Sequence, residues 1–152
     1  MNDLDKFLLP NDSTCIAACS GSEARLWLAT SRHGDWQALT ELQHPESATR
    51  EGDLVSDRPG RSFDSFGSGR HAMSQPSSAR EQELTRFAEQ VADYINAGIA
   101  NRDFNNLVLF VEPSFLGHLR TKLSAAATKA TVLTAPKNLT SLDENRIRDY
   151  FQ

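Results

Sequence analysis

Leu107-Val-Leu-Phe-Val111 is a run of five consecutive apolar residues, and no other stretch limits the fold so tightly. Alternation would mark a strand with one wet face. An unbroken run suits a strand buried on both faces, inside a sheet covered above and below. The flanks of this run read at helical spacing. Before it, Leu84, Phe87, Ala88, Val91, Ala92 and Ile95 form one stripe of a helix, opened by the capping box Ser78-x-x-Glu81 and offered a stop at Gly98. After it, Pro113 can start a second helix with Phe115, Leu116, Leu119 and Leu123 as its stripe. Thr131–Thr134 reads as a last strand. Ser141-x-x-Glu144 reads as a second capping box, opening a terminal helix through Ile147 and Tyr150.

Residues 14–44 read as a three-stranded meander. Thr14–Ser20 is small and apolar, while Ala24–Ser31 and Trp36–His44 alternate. The short connections Gly21-Ser22-Glu23 and His33-Gly34-Asp35 suit antiparallel turns. The predicted order is β-β-β-α-β-α-β-α. Three antiparallel strands followed by two right-handed crossovers make an α/β fold with an RNase H-like, mixed five-stranded sheet and helices packed on it. That topology sends Cys19-Ser20, His44, Glu112-Pro113 and Lys137-Asn138 to one rim, where ligands of open α/β sheets usually bind. The expected organisation is an N-terminal extension at 1–13 and one domain at 14–152, interrupted by a long loop at 45–79.

A net charge of −4 argues against a surface that is basic all round, though not against a local cationic patch. No apolar run reaches the roughly 18–20 residues of a membrane span. The first ten residues carry two acids and a three-residue apolar run, which is not a secretory signal. A cytoplasmic location is the expectation. Cys15 and Cys19, on a strand, lie on one face about 13 Å apart at about 3.3 Å per residue, too far for a disulfide. Buried thiols are the ordinary reading and a redox pair the alternative.

The loop does not look like filler. It holds 4 of the 8 glycines and 3 of the 6 prolines, yet also Leu54, Val55, Phe63, Phe66 and Met73; a disordered segment has few such residues. Structureless stretches of this length inside a domain are commonly functional or disordered. Its second half, Arg58 to Met73, is locally cationic. Arg58, Arg61, Ser62, Gly69, Arg70 and His71 are the candidate ligand-binding residues there. Guanidinium groups supply planar donors for phosphate, aromatics stack on bases, and glycine permits close approach. Pairing of Arg58, Arg61 and Arg70 with Asp53, Asp57 and Asp64 is the structural alternative.

The run Asp53-Leu-Val-Ser-Asp-Arg-Pro-Gly-Arg-Ser-Phe-Asp-Ser65 followed by Gly69-Arg-His-Ala-Met73 resembles the signature of the bacterial host attachment protein family. Ala24-Arg25, His44-Pro45, Arg86-Phe87-Ala88, Glu112-Pro-Ser-Phe-Leu-Gly117 and Lys137-Asn-Leu-Thr140 match as well. The resemblance implies a part in attachment to host cells. It also implies kinship with the middle domain of archaeal and eukaryotic peptide-chain release factors, whose Gly-Gly-Gln loop falls where Gly67–Met73 stands here. This chain has Gly67-Ser68-Gly69 instead, which removes the basis for peptidyl-tRNA hydrolysis and leaves an RNA- or ribosome-contacting role.

Other chemistries find little support. Two-metal nuclease chemistry needs converging carboxylates, and the first strand has none. His44, Asp53, Asp57 and His71 follow no ligand spacing, so no metal or other cofactor is expected. No Gly-x-Ser-x-Gly elbow occurs. His118 reads as a surface or half-buried residue, and Trp27 and Trp36 as sheet packing. The sequence therefore favours a non-catalytic, translation-factor-like binding domain contacting RNA or the ribosome through residues 58–73. An attachment factor acting through protein or surface interactions is the alternative. A hydrolase using Asp57, Asp64, His71 and Glu112 at the rim comes third. A homodimer would cover the loop's phenylalanines.

Overall fold

A computed structural model describes residues 6–44 and 79–152. Its strands are β1 (Thr14–Cys19), β2 (Glu23–Ala29), β3 (Trp36–Gln43), β4 (Asn106–Val111) and β5 (Thr131–Ala135). The helices are α1 (Ala79–Ala100), α2 (Pro113–Lys122), α3 (Ala125–Ala130) and α4 (Glu144–Arg148). The sheet order is β3-β2-β1-β4-β5. Strand β2 runs antiparallel to β1 and β3, whereas β4 runs parallel to β1 and β5. This is the mixed, RNase H-like α/β sheet that the sequence predicts.

Strand β1 sits at the centre because its residues are small. All six are buried. Cys15, Ala17 and Cys19 face one way with Leu26, Leu107, Leu109 and Val111, under Leu84, Phe87, Val91 and Ile95 of α1 and Phe115 and Leu119 of α2. Ile16 and Ala18 face the other way with Trp27, Val108 and Phe110. Strands β1, β2 and β4 thus contribute alternate residues to two separate cores, as the two-residue period of a strand requires.

The second core is closed by chain ends more than by helices. Leu9, Leu139, Ile147 and Phe151 are its buried cover. Phe7 and Phe151 form a parallel bridge, with the Phe7 N–H donating to the Tyr150 carbonyl and the Gln152 N–H to the Phe7 carbonyl. Phe151 also meets Trp36 and Phe110 edge-on. Arg148 lies over Trp36 and Arg25 over Trp27. The tryptophans pack on the sheet, as expected.

Four details differ from the sequence reading. First, Gly98 does not stop α1, which continues to Ala100. A Cβ at Gly98 would overlap the Phe104 ring, so glycine there permits close packing. The stop is a Schellman-type ending: the Asp103 N–H donates to the Gly98 carbonyl and the Arg102 N–H to that of Ile99, with Arg102 at φ 63°. Second, α4 is capped by Asp143, whose carboxylate accepts from the Arg146 N–H. Ser141 is not the cap, and Tyr150 lies beyond the helix. Third, α3 was not anticipated; Ser124 caps it and an alanine-rich turn fills it. Fourth, β2 stops at Ala29 and β3 at Gln43, short of the alternating runs. Ser78, the expected cap of α1, lies outside the described residues.

Two substitutions test this packing. Arg102→Gly should raise stability by about 1 kcal/mol, because only glycine adopts that backbone without a Cβ penalty; equilibrium urea unfolding would read it. Phe151→Ala should lower stability by about 3 kcal/mol, as expected for a large side chain deleted from a core, and the same titration would show it.

Candidate functional site

The rim forms where the sequence places it, and its described lining comes from the strand ends, the start of the long helix and the chain leaving the last strand. The described side of a cleft of about 260 Å³ is lined by Ser20, Gly21, Ser22, Glu23, Arg80, Glu112, Asn138 and Thr140. These come from the β1–β2 turn, the start of α1, the end of β4 and the chain leaving β5. The cleft therefore lies outside the carboxyl ends of the two parallel strands β1 and β4.

Glu112 joins two of these walls. Its own N–H donates to the Cys19 carbonyl at 3.0 Å, extending the β1–β4 ladder by one bond. Its Oε1 then accepts from the Gly21 N–H at 3.1 Å. Gly21 must lack a side chain for a reason beneath it: a Cβ there would come within 2.5 Å of the Leu84 side chain. Ser20 shapes the rest of the turn, since its Oγ accepts from the N–H groups of Ser22 and Glu23. All three amide protons of the turn are thus occupied by the protein's own oxygens. The wall across from them is set by Asn138, whose Oδ1 accepts from both the N–H and the hydroxyl of Thr140. Arg25 fastens the same segment by donating to the Thr140 and Leu142 carbonyls.

Several side-chain groups keep capacity to spare. The second oxygen of Glu112, the Glu23 carboxylate, the Ser22 hydroxyl and the Asn138 Nδ2 have no partner among the described residues. They supply acceptors and donors together, and the lining contains little apolar surface.

His44 ends the described chain beside this rim. Its Nε2 donates to Glu83 Oε1 at 2.7 Å, and its ring lies 5.4 Å from that of Phe87. Glu83 is buried and also holds Arg86. His44 is therefore an anchor tying the end of β3 to α1. The metal reading that joined it to Asp53, Asp57 and His71 falls on residues outside the described set. Among the described residues no group of three or more His, Cys, Asp and Glu gathers as a metal site would need. His118 is half-buried between α1 and α2, with Thr85 and Glu81 on its two ring nitrogens.

Of the residues singled out from sequence, Glu112 is placed at the rim, as expected. Asp57, Arg58, Arg61, Ser62, Asp64, Gly69, Arg70 and His71 lie outside the described residues. The contributions of Ser22, Glu23, Arg80 and Thr140 went unrecognised. Gly21-Ser22-Glu23 read as a turn, and only the three-dimensional meeting of β1, β4 and residues 138–140 reveals it as a wall.

Cys15 and Cys19 are both buried and unbridged. Desolvation raises both thiols: Cys19 is pushed up to about 12, and Cys15 still further, with Cys19 beside it as a lesser cause. Neither is a thiolate near neutral pH, so the redox-pair alternative has no nucleophile. Among the described residues no helix is long and apolar enough to cross a membrane.

A family model described as "Protein required for attachment to host cells" matches residues 15–151. No curated protein matches the chain. Among solved structures, a pCBH ParM non-polymerisable quadruple mutant is similar at 9% identity and a TM-score of 0.45, over 90% of this chain and 46% of that one. The chain thus spans less than half of that protein's length. The likeness is too remote to decide anything about either fold or function.

The thiol environment yields a direct test. Native protein at pH 8 should resist a thiol-specific reagent and react only at the rate of unfolding. Below the ordinary thiol value near 8.5 the two cysteines leave stability independent of pH. Above it the unfolded chain ionises while the native chain stays protonated, so stability should fall as pH rises. Fast stoichiometric labelling of the folded chain would contradict this placement.

Proposed function

Because this chain belongs to the family of proteins required for attachment to host cells, we propose that it serves attachment as a non-catalytic binding domain, with the rim cleft as its contact surface. The observation that carries the reading is the set of groups of Glu23, Glu112, Ser22 and Asn138, unpaired among the described residues, in one concave site. Polar groups at a rim cost nothing while water solvates them, and they give a partner specific hydrogen bonds when water leaves. Protein or surface partners are the class that the family description supports.

The RNA- or ribosome-contacting reading rests on Arg58, Arg61, Arg70 and His71, and the family match does not extend to release factors. The described rim is also poorly suited to phosphate. Its turn amides are occupied, and it presents two carboxylates, Glu23 and Glu112. That reading ranks second. A hydrolase at the rim would rest on Glu112 alone among the described candidates.

The test is complementation of a deletion strain in an adherence assay. Restoring the parent gene should restore adherence, while a Glu112→Gln, Asn138→Asp double variant should restore less than a tenth of it with an unchanged melting curve. Full adherence by the double variant would contradict the cleft's role. Loss of salt-dependent ribosome association in Arg70→Ala, with adherence intact, would favour the second reading.

A further inference from the structure

We infer that the rim cleft takes a neutral polyhydroxyl group, a sugar residue of a glycan; the inference rests on the reading of the cleft as the contact surface. The cleft's donors and acceptors match those of such a group. An ammonium or guanidinium group offers only donors, a metal ion takes only electron-pair donors, and a fully ionised anion offers only acceptors, so a site for any of them can be built from one kind of partner. This cleft offers both kinds. Glu112 has one oxygen held by the Gly21 N–H and the other unpaired. Asn138 has its oxygen filled by Thr140 and its Nδ2 unpaired. The Glu23 carboxylate adds acceptors and the Ser22 hydroxyl can act either way. Each hydroxyl of a sugar donates once and accepts as well, so adjacent hydroxyls can bridge Glu112 and Asn138 across the cleft. Hydrogen bonds to a carboxylate are the stronger kind.

The fixed halves of these side chains matter as much as the free ones. Glu112 and Asn138 are each oriented by an internal bond through one atom, leaving the other atom pre-aimed. A ligand then loses little to ordering them. The occupied amides of Gly21, Ser22 and Glu23 remove the backbone nest an anion would need. Arg80, which lines the same cleft, offsets part of the carboxylate charge and lowers the attraction for a free cation. A cleft of about 260 Å³ accommodates one sugar ring and not a folded domain, so the ligand enters as a terminal or protruding residue.

The experiment uses the full chain and ligand-observed NMR with a panel of neutral hexoses and N-acetylhexosamines, a lysine-rich peptide and inorganic phosphate. Saturable binding of at least one neutral sugar is expected. It should weaken about tenfold or more in Glu112→Gln and in Asn138→Asp, which keep the bonds to Gly21 and Thr140 while altering only the free atom. Ser22→Ala, at a half-buried turn position outside the core, supplies a third variant should either of these fail to fold. Absence of binding by every sugar overturns the inference, as does sugar binding that all the variants retain. Peptide binding in place of sugar binding, lost in Glu112→Gln and kept in Asn138→Asp, overturns it in favour of a cationic partner. If the variants abolish adherence while no sugar binds, the contact surface stands and the sugar does not; if they leave adherence intact, the contact surface itself fails.

Discussion

Strand β1 carries the fold because it is buried on every side. It exchanges hydrogen bonds with β2 along one edge and β4 along the other, and it shows side chains to a separate core above and below. Only small or slim residues satisfy all four boundaries at once, and Thr-Cys-Ile-Ala-Ala-Cys does so. Close packing on both faces leaves no room to add even a methylene cheaply. The same burial explains why the two thiols are chemically silent: the interior that accepts a neutral sulfur rejects a charged one.

That central position also decides where a site can form. The chain leaves β1 through an antiparallel turn and leaves β4 through the start of α2, so the Ser20–Glu23 turn and Glu112 meet at one rim. The Glu112 backbone continues the ladder and its side chain grips Gly21. Leu84 fills the space beneath the missing side chain of Gly21. Core packing and site geometry are therefore coupled through one glycine, and a change to either should be felt by the other. On the far side, Arg25 reaches from the sheet to the carbonyls of Thr140 and Leu142 and holds the segment that carries Asn138.

The unbroken apolar run Leu107–Val111, the alternation of the earlier strands and the helical stripe Leu84–Ile95 each announce a burial geometry, and they made the strands and the long helix legible. Helix ends were harder. Gly98 carries the chemistry of a stop, yet the Phe104 ring claims it for packing, and Arg102 adopts the left-handed turn instead. Ser141 and Asp143 both offer capping oxygens two residues apart, and local geometry chose the second. The rim could be located from topology, which brought Glu112 and Asn138 to one edge. Its hydrogen-bond capacity could not, because whether an oxygen is spent or spare depends on contacts 91 residues apart, as between Gly21 and Glu112. The arginine-rich segment drew attention by its composition and by the family signature it carries.

The claim on which the functional account stands is that a partner occupies the space above the β1–β2 turn. Placing a bulky indole there by Ser22→Trp, on a turn residue outside the core, fills the space without removing a core contact. The account expects the purified variant to unfold at the parent's urea midpoint while cells carrying it adhere no better than the deletion strain. Parental adherence by a correctly folded Ser22→Trp protein would show that the space is idle.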